Sequence, residues 1–186
     1  MDKQNNKFYY AYTLKNYLQN LTTDTQSANQ PVSVLTRATF AANSAQVFKV
    51  FMFYEEIGQT PPLLLRLLLP VPIRTEGRIS EVGDNVMCFY KEGYLQKRIT
   101  RIEPGDLYEF EVSRQALFFK GDIRLTGGGF RLRELPDGKT EVSVETRYYN
   151  TRAPRWIWKP LEGMVCHSFH RYLLGTMRKK IKSSQE

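Results

Sequence analysis

At 186 residues and 21.7 kDa the chain is the size of one domain. Its 41% hydrophobic and 25% charged residues exclude wholesale disorder, collagen-like sequence and a long coiled coil. The net charge of +8 is lopsided, because residues 94–186 hold eighteen Lys/Arg against eleven Asp/Glu. Such a skew raises the question of a polyanionic partner. Two cysteines, Cys88 and Cys166, lie far apart, so no CxxC pair supplies a zinc cluster. They read as reduced, small apolar residues.

Residues 1–31 form a leader, with Phe8, Tyr12, Tyr17, Leu18 and Leu21 at loosely helical spacing before a polar stretch ending at Pro31. It has no continuous apolar run of the secretory kind, so a soluble cytoplasmic protein is expected. The domain proper is residues 32–186. From Val32 the period becomes two: Val32, Val34, Thr36, Ala38 and Phe40 share one side of a first strand. Asn43 and Gln46 read as a capping pair for a helix whose apolar face is Val47, Phe48, Phe51 and Met52. Thr60-Pro61 signals a second short helix with Leu64, Leu65 and Leu68, stopped at Pro70.

Turn signals then follow at Gly83-Asp84, Glu92-Gly93 and Pro104-Gly105, as in a run of hairpins. Tyr108 to Val112 alternates cleanly. Gly121 to Leu135 is another strand, and its Gly127-Gly128-Gly129 marks a bend, a bulge or a close backbone approach. After the turn at Pro136-Asp137-Gly138, Thr140 to Tyr149 is the last strand. A long helix closes the chain, with Trp158, Leu161, Val165, Phe169, Tyr172 and Thr176 at helical steps, and ends in a basic tail. A curved antiparallel sheet needs an apolar element on its concave face, and this helix is the only long one.

Three stretches carry a resemblance: Phe40-Ala41-Ala42-Asn43-Ser44-Ala45-Gln46-Val47-Phe48, Arg101 to Phe110 with its Glu103-Pro104-Gly105-Asp106 turn, and Gly138-Lys139-Thr140-Glu141-Val142 followed by Thr146-Arg147-Tyr148. In this order the chain resembles the START-like, or SRPBCC, superfamily, also called the Bet v 1-like helix-grip fold, and within it the bacterial polyketide cyclase/dehydrase-like group. The resemblance covers about residues 32–182. It implies an α+β fold in which a curved antiparallel sheet of six to seven strands wraps a long C-terminal helix, with two short helices after the first strand. It also implies a cavity between sheet and helix that holds apolar or amphipathic small molecules. It does not fix a reaction.

Strand alternation turns Tyr108, Phe110, Thr146 and Tyr148 toward that cavity, and Phe130 with them. Tyr90 and Arg98 join them, although the parity of both strands is ambiguous. Met164 and Ser168 come from the helix. No Asp or Glu takes a clearly inward position. No residue is assigned a catalytic role. His167 and His170 point away from the helix stripe, so a rim or surface role outweighs a metal site, and no metal or cofactor is expected. Arg131 and Arg133 alternate with Phe130 and Leu132 on opposite faces, which suits a solvated sheet rather than specific nucleic-acid binding.

The expected function is therefore binding of a lipid, polyketide-like or aromatic molecule, by a monomer or a homodimer. The rivals are a cyclase, dehydratase or hydrolase using a Tyr or Arg in the cavity, and a peripheral lipid-transfer module. The basic end, Arg178, Lys179, Lys180 and Lys182, leaves room for weak contact with anionic membranes.

Overall fold

The period-two stretch after Pro31 forms β1, Val32–Phe40, in a computed structural model that describes residues 31–52, 72–90, 93–116 and 123–184. The leader and the expected helix around Thr60–Leu68 lie outside the described residues. Asn43 caps α1, Ser44–Met52, as its sequence predicts: the Asn43 Oδ1 accepts the Gln46 N–H at 2.9 Å. Glu134 reaches the same helix start from across the domain, accepting from the Ser44 backbone and hydroxyl, and these bonds hold its carboxyl below the usual range.

Six further strands follow: β2 (Pro72–Gly77), β3 (Asn85–Tyr90), β4 (Gly93–Glu103), β5 (Leu107–Ala116), β6 (Ile123–Glu134) and β7 (Thr140–Asn150). They make one seven-stranded sheet in the order β1-β7-β6-β5-β4-β3-β2, every pair antiparallel. β2 is the strand that the hairpin turn at Gly83-Asp84 requires before it, and it begins earlier than Gly77, where the sequence pattern places the start of the antiparallel region. It is an edge strand opened by Pro72, where a missing N–H costs the ladder least. The chain ends in α2, Arg155–Ser183, which contacts β1 and α1.

The glycine triplet lies within β6 and shows two of the expected behaviours. The register shifts between Leu125 and Gly127, a bulge. A Cβ on Gly127 or Gly129 would collide with the carbonyl oxygens of Phe110 and Tyr108 in β5, so the backbones approach where no side chain fits. The β5–β6 ladder stops at Glu111 and Gly127. Beyond it the Gln115 side chain joins the two strands, donating to the Ile123 carbonyl at 3.0 Å and accepting the Leu125 N–H at 2.9 Å.

Aromatic rings fill the α1 end of the concave face. Phe130 is the hub: Phe51 lies 4.8 Å from it, Tyr108 5.2 Å and Phe48 5.8 Å, while Phe40 packs edge-on to Phe51. Tyr108 and Phe130 are buried here as packing residues. The C-terminal half of α2 covers the same core with Leu173, Leu174, Met177 and Ile181.

These contacts set two opposite outcomes for a methyl group. Gly129→Ala is expected to lower stability by roughly 1–3 kcal/mol through overpacking. Gly163→Ala, where an added Cβ meets nothing within 4 Å on α2, is expected to raise it by up to about 1 kcal/mol. Urea unfolding midpoints of the two variants, compared with the parent chain, check both signs.

Candidate functional site

The expected stripe of α2 is rotated by about one residue, or ~100°. Leu161 and Phe169 are exposed, and the inward line is Arg155, Glu162, Cys166 and His170 before it becomes apolar at Leu173. Polar residues occupy this inner face because β1, β7 and the helix itself supply their partners, so apolar periodicity does not reveal it. The expectation of no inward carboxylate is thereby corrected: Glu162 and Arg155 form a buried ion pair at 2.8 Å, their side chains only 9% and 4% exposed.

Glu162 is saturated. Arg155 donates from both Nη1 and Nη2, at 2.8 and 3.1 Å. Asn150 Nδ2 donates at 2.5 Å and the Tyr148 hydroxyl at 3.1 Å. Four donors use the roughly four lone-pair positions of a carboxylate. The other end of Asn150 accepts the Arg152 N–H at 2.7 Å, which shapes the link from β7 into α2. Burial, and then the Glu162 charge, hold the Tyr148 phenol protonated, well above its ordinary range. Burial likewise pushes the Cys166 thiol up to about 11, with Glu162 adding and the Thr146 hydrogen bond opposing. Neither is a ready nucleophile.

One turn further on, His170 is fully buried, which corrects the expectation of a rim histidine. Its Nε2 is 2.8 Å from Thr146 Oγ1 and its Nδ1 is 2.8 Å from Thr36 Oγ1; His167 Nδ1 shares that same oxygen at 2.8 Å. Thr36 has a single proton, so at most one imidazole accepts from it and at least one donates to it. Burial, with His167 adding, lowers the His170 pKa to about 4, so the ring is neutral. A continuous polar seam thus runs from His167 through Thr36, His170 and Thr146 to Cys166, and then to the Glu162 cluster.

The other expected cavity residues divide. Tyr90 and Phe110 face inward and are half-buried. Thr146 and Tyr148 belong to the seam. Arg98 instead points outward, opposite Glu111 at 4.0 Å, and the buried Lys97 holds the inward place with its Nζ 4.8 Å from the Phe110 ring centre. A bulge in β4 at Thr100 explains the error: Leu95, Lys97 and Ile99 alternate inward before it, and Ile102 takes the inward side one step out of phase after it. Met164 is 55% exposed on the outer side of α2, and the Ser168 hydroxyl donates back to the Met164 carbonyl at 2.8 Å. Both follow the rotated phase. Glu162, Arg155 and Asn150 went unread; the only sequence signal was a lone acid seven residues after an arginine on a helix.

The interior is uneven. Past the aromatic core, Tyr90, Phe110, Val112 and Leu125 are only half-buried on the concave face, beside the buried Lys97 and Tyr148. A separate open cleft of about 530 Å³ lies between α1 and the β4–β5 turn, lined by residues including Ser44, Phe48, Met52 and Pro104, and shares none of these residues.

Solved structures carry the same layout. The crystal structure of Ara h 8.0201 matches at 15% identity and a TM-score of 0.54, covering 83% of this chain and 99% of that one. The Zhui aromatase/cyclase from Streptomyces sp. R1128 matches at 14% and 0.56, covering 82% and 96%. A START superfamily protein from Mycobacterium smegmatis matches at 9% and 0.57, covering 81% and 97%. No family model matches the sequence, and neither does any curated protein. The chain has the helix-grip fold of START-like and Bet v 1-like proteins.

Two outcomes follow from the seam. Glu162→Ala strands the Arg155 charge and is expected to cost about 3–5 kcal/mol, whereas Arg155→Leu with Glu162→Leu costs less than that single change; chemical denaturation of both variants checks the order. His170 binds its proton more weakly when folded than its unfolded value of 6.5. The unfolded state therefore gains the proton first on acidification. The contribution of His170 is complete above pH ~6.5 and is lost as pH falls toward 4, on the order of 3 kcal/mol in all. Thermal unfolding from pH 7 to 4.5 is expected to show a shallower loss in His170→Gln than in the parent.

Proposed function

We propose that this chain binds a hydrophobic or amphipathic small molecule between the concave face of its sheet and α2. The observation that carries this is the uneven interior: one end is packed solid with aromatic rings, while inward residues at the other are half-covered. An apolar patch bordered by Lys97 and Tyr148 suits a ligand with an apolar body and one polar end. The saturation of Glu162 supports binding over turnover. A carboxylate with four donors has no lone pair for a substrate proton, and the Tyr148 proton is already given to it. The fold is shared with a protein described as an aromatase/cyclase, but the side chains of this seam are committed to one another.

The test is to fill the space. Native mass spectrometry of the purified chain is expected to show a co-purified apolar compound, and the stripped protein to bind a fluorescent fatty acid. Leu125→Trp combined with Val112→Trp is expected to weaken that binding by at least about tenfold, worth ~1.4 kcal/mol. Fatty-acid affinity unchanged in a folded double variant would sink the proposal.

A further inference from the structure

The phase of α2 that turns Glu162 inward leaves an apolar stripe facing out. Trp156 is 76% exposed, and Ile157, Leu161 and Met164 stand exposed beside it over the first turns. Isolated surface apolar residues need no explanation, but a contiguous row on one helix face does. The same face continues toward the C-terminus as a basic strip, with Arg171, Lys179 and Lys182 exposed. Glu162 is the only acid between Arg155 and Ser183, and it is buried. The outward face of α2 therefore carries no carboxylate. The sheet surface is different: there Arg74, Arg98, Arg101, Arg133 and Lys139 each stand beside an acidic neighbour.

The geometry points to this face as a docking surface for an anionic membrane. A helix that lies in the headgroup region buries Trp, Leu and Ile just below the surface, while flanking Lys and Arg meet lipid phosphates. Each cation held near an anionic leaflet adds attraction that salt screens. From Trp156 to Lys182 the face is about 39 Å long at 1.5 Å per residue. No helix among the described residues is long and apolar enough to cross a membrane, so α2 lies on the bilayer rather than through it. The absence of any acid on the face is what favours lipid over a second copy of this chain or another of its segments, since neither would need a wholly cationic border.

The chain has two tryptophans, Trp156 and Trp158, both on α2, so its emission reports this helix alone. The full chain is mixed with vesicles of phosphatidylglycerol and phosphatidylcholine, or of phosphatidylcholine alone. Co-sedimentation with the anionic vesicles, a blue shift and protection from acrylamide are expected, with little effect of neutral vesicles. Leu161→Glu with Met164→Glu is expected to abolish the blue shift. Arg171→Glu, Lys179→Glu and Lys182→Glu together are expected to lower vesicle affinity at least roughly tenfold and remove the preference for anionic lipid. No sedimentation of the parent chain overturns the proposal. Emission already blue-shifted and protected before lipid is added also overturns it, because the stripe is then covered by another part of the chain. A concentration-dependent dimer that the Leu161/Met164 variant dissolves overturns it in favour of a second copy.

Discussion

Everything distinctive about this domain depends on holding one carboxylate away from water. A charged group inside a protein is tolerable only when compensated by opposite charge and hydrogen bonds. Glu162 meets that condition through Arg155 on its own helix and through Tyr148 and Asn150 on β7. Because α2 is one continuous helix, this clamp and the apolar grip of Leu173, Leu174, Met177 and Ile181 must share a rotational setting. A turn of ~100° would bury Leu161, but it would also expose the clamp and lift Met177 from the core. What is wet and what is dry along the whole helix follows from that setting.

The sheet meets a complementary constraint. It must curve enough to face α2 with β1 and β7 while keeping its far strands clear. Glycines in β6 permit the close backbone approach to β5, and the bulge before Gly127 ends the ladder there. Gln115 then substitutes a side-chain amide for backbone pairing. The interior consequently has a tightly packed end around Phe130 and a loosely filled one around Leu125.

Much of this architecture was legible in the residues. Period-two stretches set the inward sides of β1, β7 and the Tyr108–Val112 part of β5, since no bulge interrupts them there. Asn43 announced its helix because a cap is a local device. The misreadings share one cause, which is that the deciding partner is distant in sequence. Lys97 displaced Arg98 because a bulge at Thr100 resets the strand after Ile99. The helix phase was mistaken because apolar residues lie on both of its faces, and only Tyr148, Asn150, Thr36 and Thr146 tell which polar residues have somewhere to go. His170 looked like a surface residue for the same reason: in isolation, a histidine carries no mark of two threonines waiting across the interface.

The pairing of β1 with β7 has a further consequence for how the molecule comes into being. Val32 lies opposite Tyr148, so the first strand has no sheet partner until more than a hundred later residues have been synthesised. At ribosomal speeds that interval is on the order of ten seconds. Throughout it, β1 exposes Val34 and Phe40 with no core to receive them, and α2, the last element made, completes the seam only afterwards. Such long-range closure is intrinsically slow. The nascent chain is thus most vulnerable to association with its neighbours before its own C-terminal helix arrives.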